Sequence, residues 1–167
     1  SSGIHDARIL ATIIEDKAAV TEEQMERWAG DFDSWDVCDQ CCNNLFSGTS
    51  SAYSKAVEWS RRKEEFVKRA GFDLMANLAA HDKKAGNTRF KGFLNLIESE
   101  AQDERNYVKK AVNWALRQIG KRNLELNRAA VNVAKRILKL DSKSSKWIAS
   151  DALRELTSDK ARRRLGF

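Results

Sequence analysis

The 167-residue chain contains no proline, only eight glycines, three cysteines, two histidines and two methionines. Without proline, and with so little glycine, turns have to be made by helix caps, and the abundance of Ala, Leu, Lys, Arg and Glu makes helix the expected element throughout. Strands are not expected anywhere. No apolar run approaches the length of a membrane span, and the N-terminus lacks the charged-then-apolar pattern of a secretory signal. A cytoplasmic, single-domain protein spanning 1–167 is the expectation, large enough to bury a core without disulfides or metal.

Cysteine is confined to Cys38, Cys41 and Cys42. Three thiols in one helical turn make no disulfide framework. They could supply thiolates to zinc, but no second ligand cluster exists and His5 and His81 lie far off in sequence, so they read as small core residues and no metal is expected. Asp31, Asp33, Asp36 and Asp39 lack the glycine and spacing of a calcium loop.

Charge is plentiful and uneven. Residues 100–167 carry 17 Lys+Arg against 8 Asp+Glu, whereas residues 1–99 carry 13 against 16. A basic half of this kind suits a polyanion partner, and it equally suits helices solvated by Lys and Arg. Arg162-Arg163-Arg164 reads in the same two ways.

Apolar spacing at three and four predicts helices at about 4–17, 22–30, 34–46, 50–60, 63–81, 87–99, 104–121, 125–140 and 144–163. Thr21-Glu22-Glu23-Gln24 is a capping box, Asp33 or Ser34 an N-cap, and Gly86-Asn87-Thr88 and Gly120 are stops. Phe66-Val67-Lys68-Arg69-Ala70-Gly71 is echoed 41 residues later by Tyr107-Val108-Lys109-Lys110-Ala111-Val112, and more weakly another 41 on by Ile148-Ala149-Ser150-Asp151-Ala152-Leu153. A period near 40 holding two helices is the mark of a HEAT-type solenoid, in which no repeat buries its apolar face alone. The expected fold is therefore an all-α superhelix of HEAT-like repeats. Its concavity would fit duplex DNA if basic groups line it, or a protein if they do not.

Two helical stretches carry chemistry. In "FDSWDVCDQCC", Trp35 and Asp39 fall four apart, an indole and a carboxylate on one helix face. An indole N–H or helix-end bond to a carboxylate would explain that spacing equally well. In "NYVKKAVNWALRQIGK", Lys110, Trp114 and Arg117 share a face opposite the packing stripe of Val108, Ala111, Val112, Ala115 and Ile119. Core packing is the ordinary role of a single tryptophan, and Trp28, Trp59 and Trp147 sit in helical stripes that read as packing.

Taken together, "FDSWDVCDQ", "EFVKRAGFDLM" and "NYVKKAVNWALRQIGKRN" resemble the AlkD-like DNA alkylation-repair family, from about residue 4 to the last helix. The resemblance implies HEAT-like repeats and excision of cationic N3- or N7-alkylpurines from duplex DNA, by a monomer without metal or organic cofactor. By position it makes Trp35 and Trp114 aromatic walls and Asp39 the catalytic carboxylate. It makes Arg69 the essential arginine, on a phosphate or bracing Asp39. Asp36 serves the helix start. Lys68, Lys109, Lys110, Arg117 and Lys121, which flank these motifs, are the expected DNA contacts. Family members usually carry further helices before the segment that here opens with "HDARILATII", so either a shortened branch of the family or a trimmed fragment is expected. A HEAT-like module that binds DNA or protein without catalysis is the alternative.

Overall fold

The computed structural model describes residues 4–166. Among these, every regular element is helical: α1 His5–Ile14, α2 Glu22–Gly30, α3 Trp35–Asn44, α4 Ala52–Trp59, α5 Glu65–His81, α6 Asn87–Ser99, α7 Asn106–Gly120, α8 Leu124–Ile137, α9 Lys143–Leu156 and α10 Asp159–Leu165, with one 3₁₀ turn at Phe46–Gly48. No described helix is long and apolar enough to cross a membrane.

Polar caps make the boundaries. Thr21 accepts from the Gln24 amide, Asn123 from Leu126, Ser142 from Ser145 and Ser158 from Ala161, each satisfying a first-turn N–H that the helix leaves free. Ser34 occupies the cap position of α3 without a side-chain cap bond; the Asp36 carboxylate accepts from the Val37 amide instead, at 3.0 Å. The segment expected as one helix over 144–163 is two, because Ser158 starts a new helix after Leu156.

The helices stack in two layers. Odd-numbered helices form a front layer in which α1, α3, α5, α7 and α9 follow one another, while even-numbered helices back them. Front helices run parallel: Cys38 and Cys42 of α3 donate to the Phe66 and Ala70 carbonyls of α5, Arg69 of α5 donates to the Tyr107 carbonyl of α7, and Asn113 of α7 donates to the Ile148 carbonyl of α9. Such alternation of parallel front and back helices is the solenoid that the 41-residue echo predicts. The second interval is shorter, since α5 starts at Glu65, α7 at Asn106 and α9 at Lys143. Ile148 thus lies one turn deeper in α9 than Phe66 and Tyr107 do in their helices.

The middle of the stack is α5, where every residue from Val67 to Ala79 is buried. It packs so tightly on the end of α4 that a Cβ on Gly71 would lie 2.4 Å from the Ser60 backbone nitrogen. Cys38, Cys41 and Cys42 belong to the same core at 1% exposure or less, and burial pushes all three thiols up from their ordinary pKa. Trp59 is fully buried among them, with its Nε1 donating to Glu26 at 2.6 Å.

Candidate functional site

The first turns of three parallel front helices meet in one place. Trp35 opens α3 and is 50% exposed, and one turn on, Asp39 keeps a side chain 24% exposed. Across from it, Arg69 of α5 is almost buried. Its Nε donates to Asp39 Oδ1 at 2.7 Å and its Nη2 to Oδ2 at 2.6 Å, a bidentate fork, while Nη1 donates to the Tyr107 carbonyl at 2.7 Å. Burial works against the guanidinium's charge, and the hydrogen bonds and charge of Asp39 outweigh it, so the Arg69 pKa sits above its ordinary value. With all three donor groups engaged, Arg69 braces Asp39 and ties α3 to α7. Of the two roles expected for it, bracing is the one the geometry displays.

Two aromatic residues complete this corner, Phe66 and Tyr107, with ring centroids 5.4 Å apart. They occupy equivalent positions in the repeat, and that echo is the signal by which they could have been found; read only as a mark of periodicity, it gives no hint of a site. Trp114 lies on the same helix face as Tyr107 but two turns along α7, about 10 Å farther down the axis. It is half-buried against the core, and among the described residues no hydrogen bond or ring contact joins it to Asp39. Asp39 and Arg69 are thus brought together, with Trp35 one turn before Asp39 on the same face of α3, and Tyr107 rather than Trp114 adjoins them from α7.

Beneath the pair lies Asp73, one turn beyond Arg69 and fully buried. Its Oδ1 has no hydrogen-bond partner among the described residues. Burial first, and then the charge of Asp39, push its carboxyl well above the ordinary range, with Arg69 opposing.

The expected DNA-contacting cations divide. Lys68, next in sequence to Arg69, points the other way and is buried between Glu100 at 2.6 Å and Asp103 at 3.2 Å; it staples α5 to the following repeat and is not open to a phosphate. Arg117 pairs with Glu155 at 2.6 Å and Asp151 at 3.6 Å, and Lys121 with Glu155 at 2.9 Å, so both are engaged with carboxylates of α9. Lys109 lies over the Trp147 ring, 5.6 Å from its centroid, and Trp147 is 42% exposed, a surface residue instead of the packing one expected. Lys110 is exposed and forms no ion pair among the described residues. Asp36, besides its first-turn bond, pairs with His5 Nε2 at 2.8 Å.

Comparison with known proteins places this arrangement. A solved structure described as a new family of proteins related to the HEAT-like repeat DNA glycosylases with affinity for branched DNA structures superposes with a TM-score of 0.74, at 23% identity, over 97% of this chain and 71% of that one. A designed armadillo repeat protein in complex with the peptide (KR)4 aligns at 17% identity over 96% of this chain and 80% of its own, with a TM-score of 0.48. No curated protein matches the sequence. The first likeness identifies the fold as a HEAT-like repeat solenoid. Residues 1–156 match the family described as DNA alkylation repair enzyme, and that match, spanning nearly the whole chain, makes the protein a member of that family.

Proposed function

We propose that the protein is a DNA glycosylase that hydrolyses the N-glycosidic bond of cationic N3- or N7-alkylpurines in duplex DNA. The observation that carries this reading is the Asp39 carboxylate, held by the bidentate fork of Arg69 at a partly open surface beside the exposed face of Trp35.

Alkylation at N3 or N7 makes the base cationic and a good leaving group. As the bond between the sugar C1′ and the base nitrogen breaks, the base takes the bonding pair and leaves neutral, and positive charge develops on the sugar. A fixed carboxylate aimed at that charge stabilises the transition state, as in glycoside hydrolysis. Both Asp39 oxygens accept from Arg69, yet each keeps an outward lone pair, enough to face the sugar and to align the water that adds at C1′ and passes its proton to bulk solvent. The Trp35 face attracts a cationic sugar or base by about 1–2 kcal/mol once water is excluded. Arg69 acts through Asp39, as a positioning residue.

Asp39→Asn keeps the side chain's shape, removes the charge and replaces one of the fork's two acceptors by a donor. Release of free base from duplex DNA carrying N7-methylguanine is expected to fall by on the order of 10²-fold or more, in a protein with unchanged circular dichroism; equal rates in mutant and parent would discard the mechanism. A second reading, DNA binding without excision, draws on the branched-DNA affinity of the related structure. It is favoured if the folded parent binds DNA but releases no base.

A further inference from the structure

The basic surplus of the C-terminal half has to sit somewhere, and the front layer does not hold much of it. Lys68, Arg69, Arg117 and Lys121 are all committed to carboxylates. In the back layer the pattern reverses. A groove of about 350 Å³ runs between α8 and the α9–α10 junction, and its lining includes Arg128, Asn132, Lys135, Thr157 and Arg162 but no carboxylate. Arg128, Lys135 and Arg162 are exposed, and none forms an ion pair among the described residues. Lys160 and Arg164 on α10, and Lys139 just past the end of α8, add exposed charge that forms no ion pair among the described residues.

The neighbouring acids face elsewhere. Glu98 is forked by Arg136, Glu125 pairs with Lys91, and Glu155 is taken by Arg117 and Lys121. Asp159 stands in the first turn of α10. Arg128, Lys135 and Arg162 therefore stand without an ion-pair partner among the described residues, in a groove whose lining holds no carboxylate. The spacing is regular as well, because Arg128, Asn132 and Lys135 recur at four and three along one face of α8, and Lys139 follows two residues past its end.

We infer that this groove is a second phosphate-backbone site, which takes a nucleic-acid duplex on the back layer, away from Asp39. A row of cations spaced by helical turns, with Asn132 and Thr157 supplying neutral hydrogen-bonding groups, has the composition of a backbone contact; it has none of the base-edge readers that sequence recognition needs. The inference shares with the proposed function only its nucleic-acid partner and uses none of its chemistry. A molecule with separate front and back sites holds two duplex segments at once, which a branched substrate offers and a short linear duplex does not.

The test is binding of an undamaged 20-base-pair duplex and of a three-way junction over a range of salt. The parent is compared with the triple variant Arg128→Gln, Lys135→Gln, Arg162→Gln, and with a control that removes three exposed charges elsewhere, Lys17→Gln, Lys83→Gln, Lys84→Gln. Three lost phosphate contacts are expected to reduce the slope of log affinity against log salt by about 2.7. The junction is expected to lose at least tenfold in affinity, and the control is expected to match the parent. Base release from an N7-methylguanine duplex at saturating protein is expected to be unaffected by the triple variant. An unchanged slope overturns the inference, as does an equal fall in the control, which would mark loss of net charge alone. So does preference for an acidic peptide over DNA. If the parent releases no base but the slopes part as expected, the groove stands and the glycosylase reading falls.

Discussion

At the residue scale, the front-layer corner sets two carboxyl groups in opposite circumstances, Asp39 on α3 and Asp73 one turn of α5 beyond the Arg69 that holds Asp39. Asp39 meets a bidentate guanidinium at the surface, whereas Asp73 is sealed below it with one oxygen unpartnered. A carboxyl whose folded-state pKa is raised binds more protons folded than unfolded. It costs nothing below its unfolded pKa near 3.8 and drains stability progressively as pH rises toward the folded pKa. Asp73→Asn supplies a neutral isostere and is expected to stabilise the protein at pH 7 and to have little effect at pH 4, measured by denaturant unfolding at both. A constant difference at the two values would show that the Asp73 carboxyl titrates alike in the folded and unfolded chain. The same burial predicts that Cys38, Cys41 and Cys42 resist a thiol reagent until the chain unfolds. The sharing of one α3 face by Trp35 and Asp39 was legible in helical spacing, whereas Arg69 was singled out only by the resemblance to the DNA alkylation-repair family. Lys68 was misread because adjacent helical residues point about 100° apart, so that two neighbouring cations serve opposite surfaces. Tyr107 was passed over because its place beside Arg69 depends on how α7 sits against α5, which only packing determines.

At the scale of single helices, the Thr21 cap was read in advance, whereas the caps at Asn123, Ser142 and Ser158 and the joints between helices were not. Ser158 breaks what apolar spacing presents as one helix, since neither Gly nor Pro marks the site. Where α5 crosses the end of α4, Gly71 is required by contact with backbone that cannot yield. Gly71→Ala, normally favourable inside a helix, is here expected to destabilise by about 2–3 kcal/mol through overpacking, read as a lower denaturation midpoint with the denaturant slope unchanged. The Lys68 staple offers a second check. Burial raises the Asp103 pKa, and hydrogen bonds from Arg105, the backbone and Lys68 more than reverse this, leaving it at about 2. Stability from this junction is therefore full above the unfolded pKa near 3.8 and disappears as pH falls toward 2. Asp103→Asn is expected to be less stable than the parent at pH 7, with the gap closing by pH 2. Lys68→Met should weaken the fold without altering the salt dependence of DNA binding; a reduced slope would return Lys68 to the DNA contacts.

For the whole molecule, a continuous buried run in α5, flanked by its extensive contact with α7, predicts a gradient of rigidity. Hydrogen exchange is expected to be slowest in α5 and α7 and fastest in α1 and α10, which pack against a single neighbouring helix to any extent. Equal protection along the chain would contradict a stack whose strength is greatest at its middle. Sequence periodicity foretold that stack because each repeat must hide an apolar face against the next. It could not foretell where charge would be spent, since ion pairs form between residues about 38 apart, such as Arg117 with Glu155 and Arg136 with Glu98. Parallel packing has one more effect. Because α3, α5, α7 and α9 all begin at the same edge, their peptide dipoles add there to the equivalent of about two positive charges, a standing potential of backbone origin. It falls on the rim where Asp39 and Arg69 sit, and a side-chain substitution series would leave it in place in every variant.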